Sequence, residues 1–345
     1  NTIMKKVLLA IAAVATITSC SQNEEFENPN QQAKIGFTSV VKKATRATDT
    51  TTDNFLAFTV SSYVTSATYD GTTLLGNAYM NGVSYTKANA ASVWSTEDAG
   101  SYYWPSLDSE KKVQFFAYPT TVKSSYSVPT VDPVAPATGY PSISFEVNAT
   151  PANQIDLVVA HAANVVNSTD AGVSADGKLT LDFKHVLTRV NFAYIPGDLN
   201  LTYTVTAISI ADIQGGTAKY NFDASDGNWD LTGTTKVNSY SYDVKQSAEK
   251  VAGKEYYSLA DADASWMLLP QKVNGKIISI SYSTKQGEME VYKGTKTVTL
   301  PANAEWEVGK NVLYILTLPA GAAKVQIDTK VNGWNNATET PESAK

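Results

Sequence analysis

Leu179-Thr180-Leu181-Asp182-Phe183-Lys184-His185-Val186-Leu187-Thr188-Arg189-Val190-Asn191-Phe192-Ala193-Tyr194 reads as two strands and the joint between them. Leu179, Leu181 and Phe183 recur at every second residue and so share one face of an extended chain. The apolar set then shifts to Val186, Val190, Phe192 and Tyr194. Side chains alternate across a strand, so a one-residue change of phase sends the buried set to the opposite face. The pattern predicts a bulge, or a bend from one sheet to another, near His185. A similar slip from Val205 to Ile208 predicts the same device a second time.

Outward from this stretch, helical periodicity is nearly absent. Short alternating runs rich in Val, Thr, Tyr and Ile are bounded by Gly, Asn, Asp and Pro, the signal of an all-β chain. Leu56, Phe58, Val60 and Val64 mark one strand, with Ser62 between them; Val113, Phe115 and Ala117 mark another. Two more strands are expected, one from Ile143, Phe145 and Val147 and one from Ile155, Leu157 and Val159. Asn81-Gly82 reads as a tight hairpin turn. Later strands are expected at about 277–284, 288–293, 296–300, 311–318 and 324–331. Residues 164–178 are polar and rich in turn formers, the best candidate boundary. At 345 residues the chain is long enough for about two domains. Two β-sandwiches in series, at 47–175 and 176–345, are the expected architecture.

Composition narrows the chemistry. The chain has one cysteine, two histidines and a net charge of -6. That leaves no internal disulfide and no ordinary structural zinc site. Only Arg46 and Arg189 are arginines, and an acidic chain so poor in arginine is a weak candidate for binding nucleic acid.

From Met4, residues 4–20 carry the pattern of an address. Lys5 and Lys6 precede a short apolar run from Val7 to Ile17, too short to span a bilayer but suited to export. The run ends in Ile17-Thr18-Ser19-Cys20, which resembles a bacterial lipobox, with Cys20 as the residue to be acylated. A multiply acylated cysteine gives a stable outer-membrane anchor. The alternative is a plain secretory signal with an incidental cysteine. Residues 21–33 then read as a polar tether.

Catalytic motifs are missing. There is no Gly-x-Ser-x-Gly elbow, phosphate-cradling glycine loop or His-Glu-x-x-His helix. His161 and His185 lie in expected strands among apolar residues, where packing is the ordinary role. The acidic stretch from Asp223 to Asp230 misses the ligand spacing of a calcium loop and reads as a turn. Tyr102-Tyr103-Trp104 and Tyr256-Tyr257 have the chemistry to stack on sugars, or simply to pack across strands. The reading is of a protein that is not an enzyme and uses no cofactor or metal.

Arg46 is more informative. It lies in Lys42-Lys43-Ala44-Thr45-Arg46-Ala47, directly after an amphipathic strand whose inward residues are Ile35, Phe37 and Val41, with Ser39 in one inward slot. Arg189 falls inside an expected strand, where the folded protein denies a protease the extended backbone it needs. An Arg-specific cut between Arg46 and Ala47 would free residues 34–41 from their covalent tie. The vacated slots would favour a replacement strand. The alternative is a linker arginine with no role.

These motifs, in this order, resemble the Bacteroidales fimbrillins, subunits of type V pili. The resemblance runs from the lipobox and Lys43-Ala44-Thr45-Arg46-Ala47 through Tyr103-Trp104-Pro105 and Val113-Gln114-Phe115-Phe116-Ala117-Tyr118-Pro119. It continues through Ile155-Asp156-Leu157-Val158-Val159-Ala160 and the opening Leu181–Phe192 stretch to Trp266-Met267-Leu268-Leu269-Pro270-Gln271, Trp306-Glu307-Val308-Gly309-Lys310 and Val331-Asn332-Gly333-Trp334. The resemblance implies two transthyretin-like β-sandwiches, export as an outer-membrane lipoprotein, and cleavage after Arg46 by an Arg-specific protease. It also implies polymerisation by strand exchange into a surface fimbrium that supports adhesion. The implied partners are other pilin subunits, that protease, and a host or bacterial surface receptor. Val325, Ile327, Thr329 and Val331 form the candidate donor strand, or else the last strand of the second sandwich. In the latter case a tip or accessory subunit is as good a reading as a shaft subunit. The competing class is an uncleaved glycan-binding surface lipoprotein.

Overall fold

The computed structural model describes residues 33–41, 50–98, 100–106, 110–129, 138–166, 169–223, 227–244, 248–259 and 265–334. Cys20, Arg46, Ala47 and the leader lie outside these residues. The fold is all-β, as the alternation predicts. The strands are β1 (Gly36–Val41), β2 (Ala57–Thr65), β3 (Ala78–Thr86), β4 (Lys112–Tyr118), β5 (Tyr126–Ser127), β6 (Ser142–Val147) and β7 (Val158–Val165). They continue as β8 (Lys178–His185), β9 (Thr188–Pro196), β10 (Thr202–Asn221), β11 (Asn228–Asp230), β12 (Thr235–Asp243), β13 (Glu249–Lys250) and β14 (Tyr257–Ser258). The last are β15 (Trp266–Leu268), β16 (Gln271–Lys272), β17 (Ile277–Gln286), β18 (Met289–Thr299), β19 (Glu305–Trp306), β20 (Lys310–Leu318) and β21 (Gln326–Gly333). Among the described residues, helix is confined to two short 3₁₀ segments, Thr120–Ser125 and Pro151–Asn153.

Three main sheets result. The first has the order β1-β8-β7-β4-β2-β3. The second runs β18-β17-β10-β6-β5, with β11 and β12 also on β10. The third runs β13-β14-β9-β20-β21, with β15 also on β9. Among the described residues, only β1 with β8 and β20 with β9 pair in parallel.

The phase change in the opening stretch marks a change of sheet. β8 ends at His185 in the first sheet and β9 begins at Thr188 in the third. Val186 and Leu187, both buried, make the crossing. The second slip is a bulge in β10, where the register against β17 shifts between Val205 and Ala207. β8 lies beyond the polar 164–178 stretch, yet it hydrogen-bonds back to β7 and β1. β10 is shared: residues 202–210 pair with β17, and residues 216–221 pair with β6. Gly215 and Gly216 permit the bend between those halves. A Cβ on Gly215 would fall 2.0 Å from the Tyr240 hydroxyl, and Gly216 has φ of 73°.

Asn81-Gly82 is not the expected hairpin turn. It lies inside β3, where Val60 pairs with Val83 and Ser62 with Met80, so two residues oppose Ser61 alone. Gly82 at φ 64° supplies the left-handed residue of a bulge, which uses the same chemistry as a turn. The expected break between 293 and 296 is likewise absent. Gly294 and Thr295 stay in the ladder opposite Tyr282 and Ser281, so β18 is one strand.

The first sheet curls until its outer strands meet. Phe37 on β1 packs edge-on against Tyr85 on β3, with ring centroids 5.0 Å apart. Inside the curl lies one core, built from Phe58, Val60, Phe115, Leu181 and Phe183 together with Ile35, Phe37 and Val41. Outside it, Phe116, Tyr118 and Val159 join a second core shared with the other sheets, through Ile210, Phe192 and Trp266.

Candidate functional site

β1 closes the curl. All six of its residues pair with β8, from Gly36 opposite Lys178 to Val41 opposite Phe183. On its other side Lys34 bridges Tyr103, and the Ile35 amide donates to the Tyr102 carbonyl at 2.8 Å. Tyr79 of β3 holds that segment in turn. Its hydroxyl donates to the Tyr103 carbonyl at 3.0 Å and lies 2.8 Å from the Tyr103 amide.

The inward residues of β1 occupy the centre of the curl. Ile35, Phe37 and Val41 are 3%, 4% and 3% exposed. Phe37 sits in a nest of edge-on rings made by Phe58, Tyr85 and Phe115, at 6.1, 5.0 and 5.7 Å. Aromatic rings favour this geometry because positive edges meet negative faces. The third inward slot holds Ser39, whose hydroxyl accepts from the Trp94 indole N–H at 3.1 Å. Each buried apolar side chain contributes about 1.5–3 kcal/mol, so β1 is a major part of this core.

The point where the chain leaves β1 is also where it returns. The Thr52 hydroxyl donates to the Val41 carbonyl at 3.0 Å and accepts from the Val41 amide at 3.3 Å. Arg46 and Ala47 belong to the stretch between these tied ends. Arg189, the other arginine, is wholly buried in β9 beside Ser265.

Thr50, inside that stretch and two residues before Thr52, leads into the interior. The Thr50 amide donates to Asp156 Oδ2 at 3.0 Å, and His185 Nδ1 donates to the same oxygen at 2.8 Å. Both side chains of this hydrogen-bonded pair are fully buried. Trp334, the residue after β21, stacks on His185 with centroids 4.2 Å apart and planes 7° from parallel. Its amide donates to the Gly309 carbonyl, and the Gly309 amide to the Leu187 carbonyl at the sheet crossing. Asp156 Oδ1 and the Trp334 indole nitrogen are buried with no partner among the described residues. A buried polar atom left so costs about 1–3 kcal/mol, so the cluster is held at some expense.

The candidate donor strand is the outer strand of the third sheet. β21 pairs with β20 along its whole length, Gln326 opposite Thr317 to Gly333 opposite Lys310. Val325 is buried just ahead of it, and Ile327 packs against the shared core. Thr329 is exposed and Val331 is 49% exposed.

The remaining residues singled out by sequence are packing groups. His161 stacks on Phe116 at 4.5 Å and donates through Nδ1 to the Asp223 carbonyl at 2.7 Å. Burial lowers its pKa to about 4, against the smaller raising effect of Asp223. It borders a cavity of about 170 Å³ with Asp182 and Lys184. Trp104 and Tyr256 are buried, while Tyr103 is 40% exposed. Thr50, Asp156 and Trp334 were not distinguished by sequence as site residues. The available signal was an acid in the middle of the apolar run Ile155–Ala160, since a buried carboxylate needs partners.

A family model described as fimbrillin-like matches residues 45–334. The fimbrium subunit Fim1C of Phocaeicola vulgatus is 27% identical, over 97% of this chain and 98% of that protein. A fimbrial protein of Bacteroides vulgatus has a similar fold, with a TM-score of 0.63 at 22% identity over 88% of this chain and 99% of that one. A cell adhesion protein of Bacteroides ovatus is similar with a TM-score of 0.51, at 15% identity and over 88% and 98% of the two chains. With the family match spanning most of its length, the chain belongs to the fimbrillin-like family.

Proposed function

We propose that the protein is a structural subunit of a cell-surface fimbrium supporting adhesion. In this reading it is exported as a lipoprotein through Cys20, cut by an Arg-specific protease between Arg46 and Ala47, and polymerised by strand exchange. The related fimbrium subunit supports the subunit role. One observation carries the exchange. The inward series of β1 is Ile35, Phe37, Ser39, Val41, and the alternate residues at the C-terminal edge are Val325, Ile327, Thr329, Val331. Both read apolar, apolar, hydroxyl, valine at two-residue spacing.

Laid into the place of β1 in the same direction, β21 of a second copy puts Ile327 into the ring nest and Thr329 beside Trp94. The register that pairs Val40 with Asp182 puts Lys330 there instead, a cation beside an acid. Main-chain bonding gives such an added strand affinity, and alternate side chains give it specificity. Arg46→Ala tests the maturation step: the variant is expected to remain monomeric, and normal filaments from it would refute the reading. The complete pairing of β21 with β20 favours one second reading, a tip or accessory subunit that accepts a strand but donates none.

A further inference from the structure

Donation requires β21 to leave β20, and the buried cluster at the sheet crossing touches both Thr50 and Trp334, the residue after that strand. We propose that Thr50, Asp156, His185 and Trp334 form a latch that keeps β21 seated until β1 has gone; this rests on the strand-exchange reading above. Asp156 Oδ2 is the hub, taking the Thr50 amide at 3.0 Å and the His185 ring at 2.8 Å. The Trp334 indole lies flat on that ring and ends the strand that must move.

Before the cut, Thr50 is held through the residues that follow it. Two residues on, Thr52 is clamped to Val41, the last residue of β1, and Lys87 Nζ donates to the Thr52 carbonyl at 3.2 Å. When β1 leaves, Val41 goes with it and Thr52 loses that clamp. Thr50 then lies three residues from the new terminus at Ala47, where chain ends fray. Without the Thr50 amide, Asp156 retains one of its two donors on Oδ2 while Oδ1 still lacks one. The carboxylate turns to share what remains, His185 follows it, and the stacked indole loses its seat.

Amide exchange along residues 326–333 tests the latch in the soluble chain from Ser21 onward. Thr50→Pro removes the amide donor, with φ fixed at that residue and the hydroxyl loss controlled by Thr50→Ala, and leaves Asp156, His185 and Trp334 unsubstituted. In the uncut chain it should speed exchange of β21 by about tenfold, relative to wild type and to a Thr50→Ala control. Unchanged exchange in Thr50→Pro overturns the proposal. Asp156→Asn should act in the same direction if the variant folds.

The second arm cuts a Phe37→Ala chain after Arg46 with an Arg-specific protease, so that the weakened strand leaves. Faster exchange in 178–183 reports that β1 has gone, and faster exchange in 326–333 is then expected. Loss of β1 with β21 unchanged overturns the latch. Failure of the cut, or retention of β1, counts against the maturation reading and leaves the Thr50→Pro result to decide the latch.

Discussion

β1 and β21 are both terminal strands of their sheets, and they are held in opposite ways. β1 is short, six residues, yet its inward side chains are almost completely buried. β21 has eight residues and a full antiparallel ladder, yet its second half shows Thr329 and Val331 to solvent. Side-chain burial holds the first, and backbone hydrogen bonds hold much of the second. A net hydrogen bond contributes about 0.5–1.5 kcal/mol, and an edge ladder can exchange its partner for water or another strand. Burial offers no such substitute. A strand of the first kind gives up buried surface when it leaves, while one of the second kind can peel.

The widest break in this contrast comes from the ring nest. Phe37→Ala should destabilise the intact chain by about 3–5 kcal/mol, the usual cost of deleting a buried aromatic. Urea unfolding of the uncut chain from Ser21 onward measures it. A loss below about 1 kcal/mol would mean that the curl closes without β1 and that the strand is a passenger.

The curled sheet also carries a pH dependence. His161 on β7 is buried, and its pKa is lowered to about 4 in the fold. The unfolded chain takes up this proton near pH 6.5. Between those values the unfolded state binds more protons, so stability falls as pH drops from about 6.5 toward 4 and is intact above that window. The contribution lost at pH 5 is about 2 kcal/mol. His161→Gln should flatten the profile by that amount, read as the difference between the two proteins' urea midpoints across the window. Parallel profiles would show that the ring titrates as it does in water.

This contrast is only half visible in the sequence. The alternation of Ile35, Phe37 and Val41 announces a buried face because period-two apolarity is local information. The crossing at Val186 and Leu187 is legible for the same reason: a change of phase must be spent on a change of face. The alternation of Val325, Ile327, Thr329 and Val331 looks equally strong, yet the fold covers only its first half. Coverage depends on which strand lies opposite, and no local pattern carries that. The Asn81-Gly82 pair fails likewise, since a left-handed glycine serves a bulge as well as a turn and pairing decides which. Asp156 and His185 lie 29 residues apart and meet only through the β7–β8 pairing, so neither announces the other.

The smallest effect is the sharpest test of how β21 is built. Val331 is 49% exposed and faces nothing apolar that it fills, so its methyl groups contribute little to the monomer. Val331→Ala should therefore shift stability by no more than about 0.5 kcal/mol, the range of ordinary surface substitutions. In a filament built by strand exchange the same residue would occupy the slot of Val41, which is buried. The substitution should then lower filament yield or thermal resistance while leaving the monomer's urea midpoint in place. A monomer destabilised as much as the filament would mean that Val331 already has a core of its own. β21 would then belong to its sheet in the same way that β1 belongs to the curl.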